Sequence, residues 1–316
     1  MFAAYPRPPD PAVTLHAGAV WIDLFQPSED EVRLVTHETG LHVPTLAELS
    51  EIENSSRLQR RHEALYLSVP TAVPGQHPTP VGFVLSRDRL ITVRFTQLPA
   101  FEHYAEACLL NPETSGNSVE VFLGLVEGTV DRLADLLERE AANLEAASER
   151  IFHAPENVRH RPARIDRELR ALLSQIGAAG DHASKVRDTL LGIGRVAQFV
   201  AVSGSEWISA AQRPRFETVR ADIASLSDYY VNLSDKVQFL LDATLGFINI
   251  EQNNIIKVLT VVSIVGIPPT FVASLYGMNF KDIPELNWTF GYWYALGLMA
   301  VTAVLPLVWF RARGWL

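Results

Sequence analysis

The chain has 316 residues and a net charge of −9, with 27 Lys and Arg against 36 Asp and Glu. That balance argues against nucleic acid as a partner, because neutralising phosphates needs a basic excess. Its one cysteine, Cys108, excludes an internal disulfide and a cysteine-based metal site, and the length accommodates two domains.

Apolar residues make up 48% of the chain and concentrate towards its C-terminal end. The opening stretch, MFAAYPRPPDPAV, is broken by prolines and has no continuous apolar core. It does not resemble a secretory signal, and the bulk of the chain is expected in the cytoplasm.

Residues 1–115 mix strand and helix signals and are expected to form a cytoplasmic α/β domain. Short strands are predicted at Val20–Leu24, Leu65–Val69, Val81–Leu85 and Leu90–Phe95, the last two joined by a turn at Ser86–Asp88. A helix should start after Ser28, with Glu31 three residues on completing a capping box. Cys108 is expected as a small core residue.

Residues 116–212 carry heptad-like apolar spacing in VDRLADLLEREAANLEAASERIF and in IDRELRALLSQI. Pro155 and the stretch His160–Pro162 separate them, which predicts an antiparallel helical pair. A third helix should begin at about Arg213, with Pro214 tolerated in its first turn. No other proline interrupts it before Pro268, so residues 213–257 are expected as a long stalk. Continued to Tyr276, the helix would be on the order of 95 Å long at the usual rise.

Val258–Tyr276 is 19 residues without a charge, and Phe290–Phe310 is 21 more. Both are long enough to cross a bilayer. Residues 258–276 and 290–310 are therefore predicted as two transmembrane helices joined by a hairpin loop, 277–289, with a basic tail at 311–316. Lys257, Arg311 and Arg313 flank the spans, which puts both ends in the cytoplasm. The loop, with Lys281, Asp282 and Glu285, then faces outward. Trp288, Trp293, Trp309 and Trp315 fall at the rims of the second span, as an aromatic belt requires.

The first span is more polar than an anchor needs. At 100° per residue, Thr260, Ser263, Thr270 and Ser274 share an arc of roughly 80°, with Ile256 and Ile267 in the stripe and Asn253 just beyond it. Such hydroxyls either bond back to their own helix and pack helix against helix, or line a water-filled path enclosed by several copies. One hairpin cannot enclose a pore, so the second alternative demands a symmetric oligomer. Pro268 and Pro269 would loosen the helix near its outer end. Asn279, after the Gly277 turn, would then form a ring of amides at the outer mouth, where carbonyl oxygens accept hydrogen bonds from the waters of an arriving cation. Mg²⁺ surrenders those waters reluctantly.

The run EQNNIIKVLTVVSIVGIPPTFVASLYGMNFKDIPEL, a second span and a terminal RGWL closely resemble the CorA family of divalent-cation channels, densely over residues 249–316. The N-terminal two-thirds is similar in order of elements. The resemblance implies an α+β membrane protein: a homopentamer with a cytoplasmic α/β funnel, a long helical stalk continuing as the first span, and an outer ring of second spans in the inner (plasma) membrane. It implies transport of Mg²⁺, often Co²⁺ and Ni²⁺, or Zn²⁺ as in a related branch, with no prosthetic group.

By the same resemblance Gly277, Met278 and Asn279 form the selectivity entrance, and Asn253, Ile267 and Thr270 line the pore. Ile267 stands where a methionine is common. The family's regulatory Mg²⁺ site joins a stalk carboxylate to a funnel carboxylate of a neighbouring subunit. Asp242, in FLLDATLG, matches the first, and Glu102, in PAFEHY, is the expected second.

Three other signals point to ordinary structure. Gly192-Ile193-Gly194-Arg195-Val196-Ala197 fits a dinucleotide fingerprint but follows a helical stretch, so close helix packing is expected. His37 and His42, in HETGLH, are one residue too far apart for a zinc-protease helix, and a helix end is expected there. SSRLQRRHE, residues 55–63, is expected as a solvated loop. No nucleophile, base and orienting group can be assembled, so an enzyme is not expected. The alternative from another class is a cytosolic scaffold or sensor that the hairpin only tethers to the membrane.

Overall fold

The computed structural model describes residues 2–6, 18–51, 53, 57–71, 79–111, 116–152, 162–279 and 283–315, with the side chains of 162–166, 285 and 286 excepted. Contacts divide the chain into two compact units. The first comprises Met1–Arg150 and Ser174–Leu241, the second Ile151–Leu173 and Asp242–Leu316. Pro155, His160, Lys281 and Asp282 lie outside the described residues, as does the side chain of Glu285.

The first unit holds a six-stranded sheet. Its strands are β1 (Phe2–Tyr5), β2 (Trp21–Phe25), β3 (Leu58–Arg61), β4 (Ala64–Thr71), β5 (Thr79–Ser86) and β6 (Leu90–Arg94), in the spatial order β1-β2-β6-β5-β4-β3. Only β2 and β6 run parallel, in the register Trp21↔Leu90 to Phe25↔Arg94. The four strands expected from sequence are present, each within two residues of its expected ends. The SSRLQRRHE segment is corrected: Leu58–Arg61 is an edge strand paired antiparallel with β4. Leu58 and Gln59 are half-buried and Arg60 and Arg61 exposed on this edge, so polarity there reports position in the sheet rather than the absence of a strand.

Alternation along the strands sorts the two faces. Ile22, Leu24, Val84, Ile91 and Val93 form a core with Val35, Val43 and Leu49. Those last three come from helix α1 (Glu29–Thr39), the segment after it, and α2 (Leu46–Leu49). Helix α1 starts as its sequence requires: Ser28 Oγ accepts from Glu31 N–H, and Glu31 Oε2 accepts from Ser28 N–H at 2.9 Å. The Ser28 N–H holds the Glu31 carboxyl below its ordinary range. Helix α1 ends at Gly40, which takes φ 67° while its N–H bonds Thr36 O. That left-handed cap suits glycine and leaves His42 outside the helix.

The opposite face receives helix α3 (Pro99–Leu110) and the long helices α4 (Ser118–Phe152) and α5 (Pro162–Ser203). Phe83 meets Phe101 and Phe122 with ring centroids 6.0 and 5.7 Å apart, and Trp21 meets Tyr104 edge-on at 5.7 Å. Cys108 on α3 is buried in this layer. The glycines of the GIGRVA run lie inside α5. A Cβ on Gly192 would stand 3.1 Å from both Val69 and Pro70 of β4, and one on Gly194 would stand 3.5 Å from Ile223. The run serves helix packing.

Helix α6, Arg213–Tyr276, runs 64 residues without a break. Glu120 and Glu127 bind Arg215, and Glu145 binds Lys236, so α4 and α6 ascend together. Gly180 faces Val237 and Gly194 faces Ile223, so α5 descends against them. Within these contacts α4 and α5 run antiparallel. In the second unit Phe152 packs edge-on against Phe247 at 6.1 Å. There the far half of α6 is followed by a 3-10 turn at Pro284–Asn287 and by α7, Gly291–Ala312.

Candidate functional site

Among the described residues two helices have the length and hydropathy to cross a membrane, and both are almost bare within the chain. The most apolar window of α6 is 11% buried, and that of α7 is 6% buried. Val258, Leu259, Val262 and Phe271 on α6, and Tyr292, Trp293 and Leu305 on α7, expose more than half of their surface. An apolar surface so continuous demands lipid or other protein chains around it. At the usual rise, the 22 residues of α7 span about 33 Å, close to the thickness of a hydrocarbon core. Aromatic pairs mark both of its ends: Trp288 with Tyr294 and Tyr292 with Trp293 at one, Trp309 with Phe310 and Phe310 with Trp315 at the other. Arg313 lies over the Trp309 ring at 5.5 Å.

Pro268 and Pro269 sit inside α6 without ending it. The helix closes where Gly277 N–H bonds Ala273 O at 3.0 Å and Met278 N–H bonds Leu275 O at 3.4 Å. A Cβ on Gly277 would approach the Ala273 carbonyl oxygen to 3.1 Å, so the missing side chain lets the turn close tightly. Asn279 follows, exposed, at the tip.

Of the hydroxyl stripe, Thr260 donates to Ile256 O at 2.7 Å and Thr270 donates to Gly266 O at 2.8 Å. Each spends its proton on its own helix. What those oxygens can still offer is lone pairs, which accept hydrogen bonds. Asn253, Ile267, Thr270, Ser274, Met278 and Asn279 are exposed in the single chain, and Thr260 and Ser263 are half-buried.

The two carboxylates fall in different units. Glu102 is half-exposed on α3, with Oε1 4.0 Å from Nη1 of Arg94. Asp242 is exposed on α6. Among the described residues no three His, Cys, Asp or Glu side chains are grouped to hold a metal ion.

One buried arrangement has no counterpart among the sequence expectations. Asp23 and Arg94 lie buried on neighbouring strands, Arg94 donating from Nε and Nη2 to the carboxylate at 2.9–3.2 Å. Thr92 donates to the same carboxylate and accepts from Trp21 Nε1. The signal was available: a lone Asp within WIDLF and a lone Arg ending LITVR are charges in buried strands, which must find each other.

The chain matches the family described as CorA-like Mg²⁺ transporter protein over residues 16–312. It belongs to the CorA family. Its relatives include the magnesium transport proteins CorA of Yersinia pseudotuberculosis, 36% identical over 95% of this chain and 93% of the relative, and of Escherichia coli K12, 35% identical over 94% and 92%. The complete structure of the CorA magnesium transporter of Methanocaldococcus jannaschii is similar in fold, with a TM-score of 0.71 at 20% identity, covering 94% of this chain and 91% of that one. The family is one of transporters, not of enzymes.

Proposed function

We propose that this CorA chain assembles as a homopentamer in the inner membrane, multi-pass with both termini cytoplasmic, and admits hydrated Mg²⁺ passively through a pore lined by α6. One observation carries it: α6 runs unbroken through two prolines and delivers Gly277, Met278 and Asn279 at its tip, in continuation of the stripe of Asn253, Thr260, Ser263, Ile267, Thr270 and Ser274. Hydroxyls that have donated their protons to the helix, as Thr260 and Thr270 have, present acceptors, which suits the waters of a cation. Ile267, 65% exposed in the single chain, would form the hydrophobic constriction. Residues 1–115, 116–212 and 213–257 would serve as funnel, helical pair and stalk. Residues 258–276 and 290–310 would be the spans around the outward loop 277–289, with 311–316 as the cytoplasmic tail.

A membrane potential supplies about 2.3 kcal/mol per charge per 100 mV, so roughly twice that for a divalent ion, and uptake needs no coupled hydrolysis. Asp242 and Glu102 of neighbouring subunits would bind cytoplasmic Mg²⁺ in the closed state. Such gating requires the ion to favour that state over the open one.

Competition in dye-loaded proteoliposomes tests the ion: Co²⁺ and Ni²⁺ should slow Mg²⁺ entry as rival hydrated cations. Entry of Zn²⁺ with exclusion of Mg²⁺ would make the chain a zinc transporter instead. No flux of any divalent ion from intact oligomers would leave the tethered scaffold.

A further inference from the structure

Arg94 is 8% exposed, yet its guanidinium is only half used. Nε and Nη2 are committed to Asp23, while Nη1 is buried and has no hydrogen-bond partner. Rings of Phe25 and Phe101 cover the group, 4.9 and 5.8 Å from its central carbon. A buried charged donor without an acceptor is costly. The acceptor within reach is Glu102, whose carboxylate stands 4.0 Å from that nitrogen and whose side chain is 47% exposed.

A small rotation of Glu102 closes that gap to the length of a charge-assisted hydrogen bond. A rotation the other way puts the carboxylate in solvent. Asp23 cannot take the same role, because Arg94 and Thr92 already hold it.

We infer that Arg94 is a positioning residue for the regulatory site: its free nitrogen docks Glu102 when no cation is bound, so a divalent cation must win the carboxylate from Arg94. This rests on the proposed role of Glu102. The competition lowers the fraction of chains with Glu102 available, and the apparent affinity falls by that fraction. The concentration at which the protein senses cytoplasmic Mg²⁺ is thereby set by a residue that never touches the ion.

The test is the Mg²⁺ midpoint for protection of the full-length protein against protease, with Mg²⁺ alone as probe. Arg94→Lys keeps a cation for Asp23 but has no second nitrogen to offer Glu102. It should lower the midpoint about three- to tenfold, the reciprocal of an undocked fraction of about a third to a tenth, and should have no effect on the midpoint in a Glu102→Gln background. An unchanged midpoint in Arg94→Lys, beside a raised one in Glu102→Gln, removes Arg94 while leaving Glu102 as a ligand. An unchanged midpoint in Glu102→Gln removes both. If Arg94→Lys does not fold, Glu102→Asp decides. One methylene shorter, it loses Arg94 but keeps its charge and should lower the midpoint, and a midpoint unchanged or raised would overturn the inference.

Discussion

Gly124 of α4 lies directly beneath Tyr104 of α3: a Cβ there would fall 2.0 Å from Tyr104 Cε2 and 2.9 Å from its hydroxyl. The phenol occupies the space a side chain would need, wedged against Trp21, and burial pushes its ionisation far above the ordinary range. Alanine normally strengthens a helix by up to about 1 kcal/mol over glycine, but overpacking a rigid ring costs about 1–3 kcal/mol. Gly124→Ala should therefore destabilise the protein, lowering its thermal midpoint. Gly177→Ala on α5, where a Cβ meets nothing within 4 Å, should raise it. Equal effects of the two would contradict this packing.

Arg215 fastens the start of α6 to α4. Its Nε donates to Glu127 at 2.8 Å and its Nη2 at 2.6 Å, while Nη1 binds Glu120. These bonds, Glu127 foremost, raise the guanidinium's ionisation further above its ordinary range. Hydrogen bonds to charged groups contribute about 1.5–3 kcal/mol, reduced here because all three side chains are about a third exposed. Arg215→Met also leaves two carboxylates without a cation, Glu120 keeping its bond from Gln212, so it should cost about 1–3 kcal/mol in denaturant unfolding. Adding Glu120→Gln and Glu127→Gln should recover part of that loss. No recovery would mean that the arginine acts through packing alone.

Cys108 offers a probe of the helical layer, being the one thiol in the chain. Burial pushes its pKa from 9.0 up to about 11. The fold thus favours the neutral thiol. That preference is intact below the unfolded value of 9.0 and is lost as pH rises through about 11. At pH 8 the native protein should resist a thiol-specific disulfide reagent and react with one equivalent after denaturation. Rapid labelling of the native protein would place Cys108 at the surface.

Much of this architecture is legible in the chain, for identifiable reasons. The capping box at Ser28 and Glu31, the stop at Gly40 and the uncharged runs 258–276 and 290–310 are local signals, and local physics decides them. The edge strand Leu58–Arg61 was not legible, because a strand with solvent on its open side carries the polarity of a loop. Strand β1 was hidden for a different reason: Phe2–Tyr5 is only four residues long and is followed at once by Pro6. Helix α2 could have been found from Thr45 and Glu48, which form a second capping box. The pairing of Asp23 with Arg94 depends on strands 69 residues apart in sequence becoming parallel neighbours, which no local pattern specifies.

In the proposed α6-lined pore, Asn279 meets the hydrated ion at the outer mouth. The position is an exposed turn, so the fold should hardly depend on it, whereas a ring of subunits loses every amide at once. Asn279→Asp, which replaces amides with carboxylates, should hold a divalent ion more tightly and change the order of preference among Mg²⁺, Co²⁺ and Ni²⁺.

The most direct measurement is Mg²⁺ entry into liposomes holding a Mg²⁺ dye, with an inside-negative potential imposed and no ATP present. The wild-type protein should admit Mg²⁺ at a rate that rises with the potential. Asn279→Ala, recovered as the same oligomer, should admit little or none. Wild-type flux through Asn279→Ala, or entry by the wild-type protein that requires ATP, would rule out this pore.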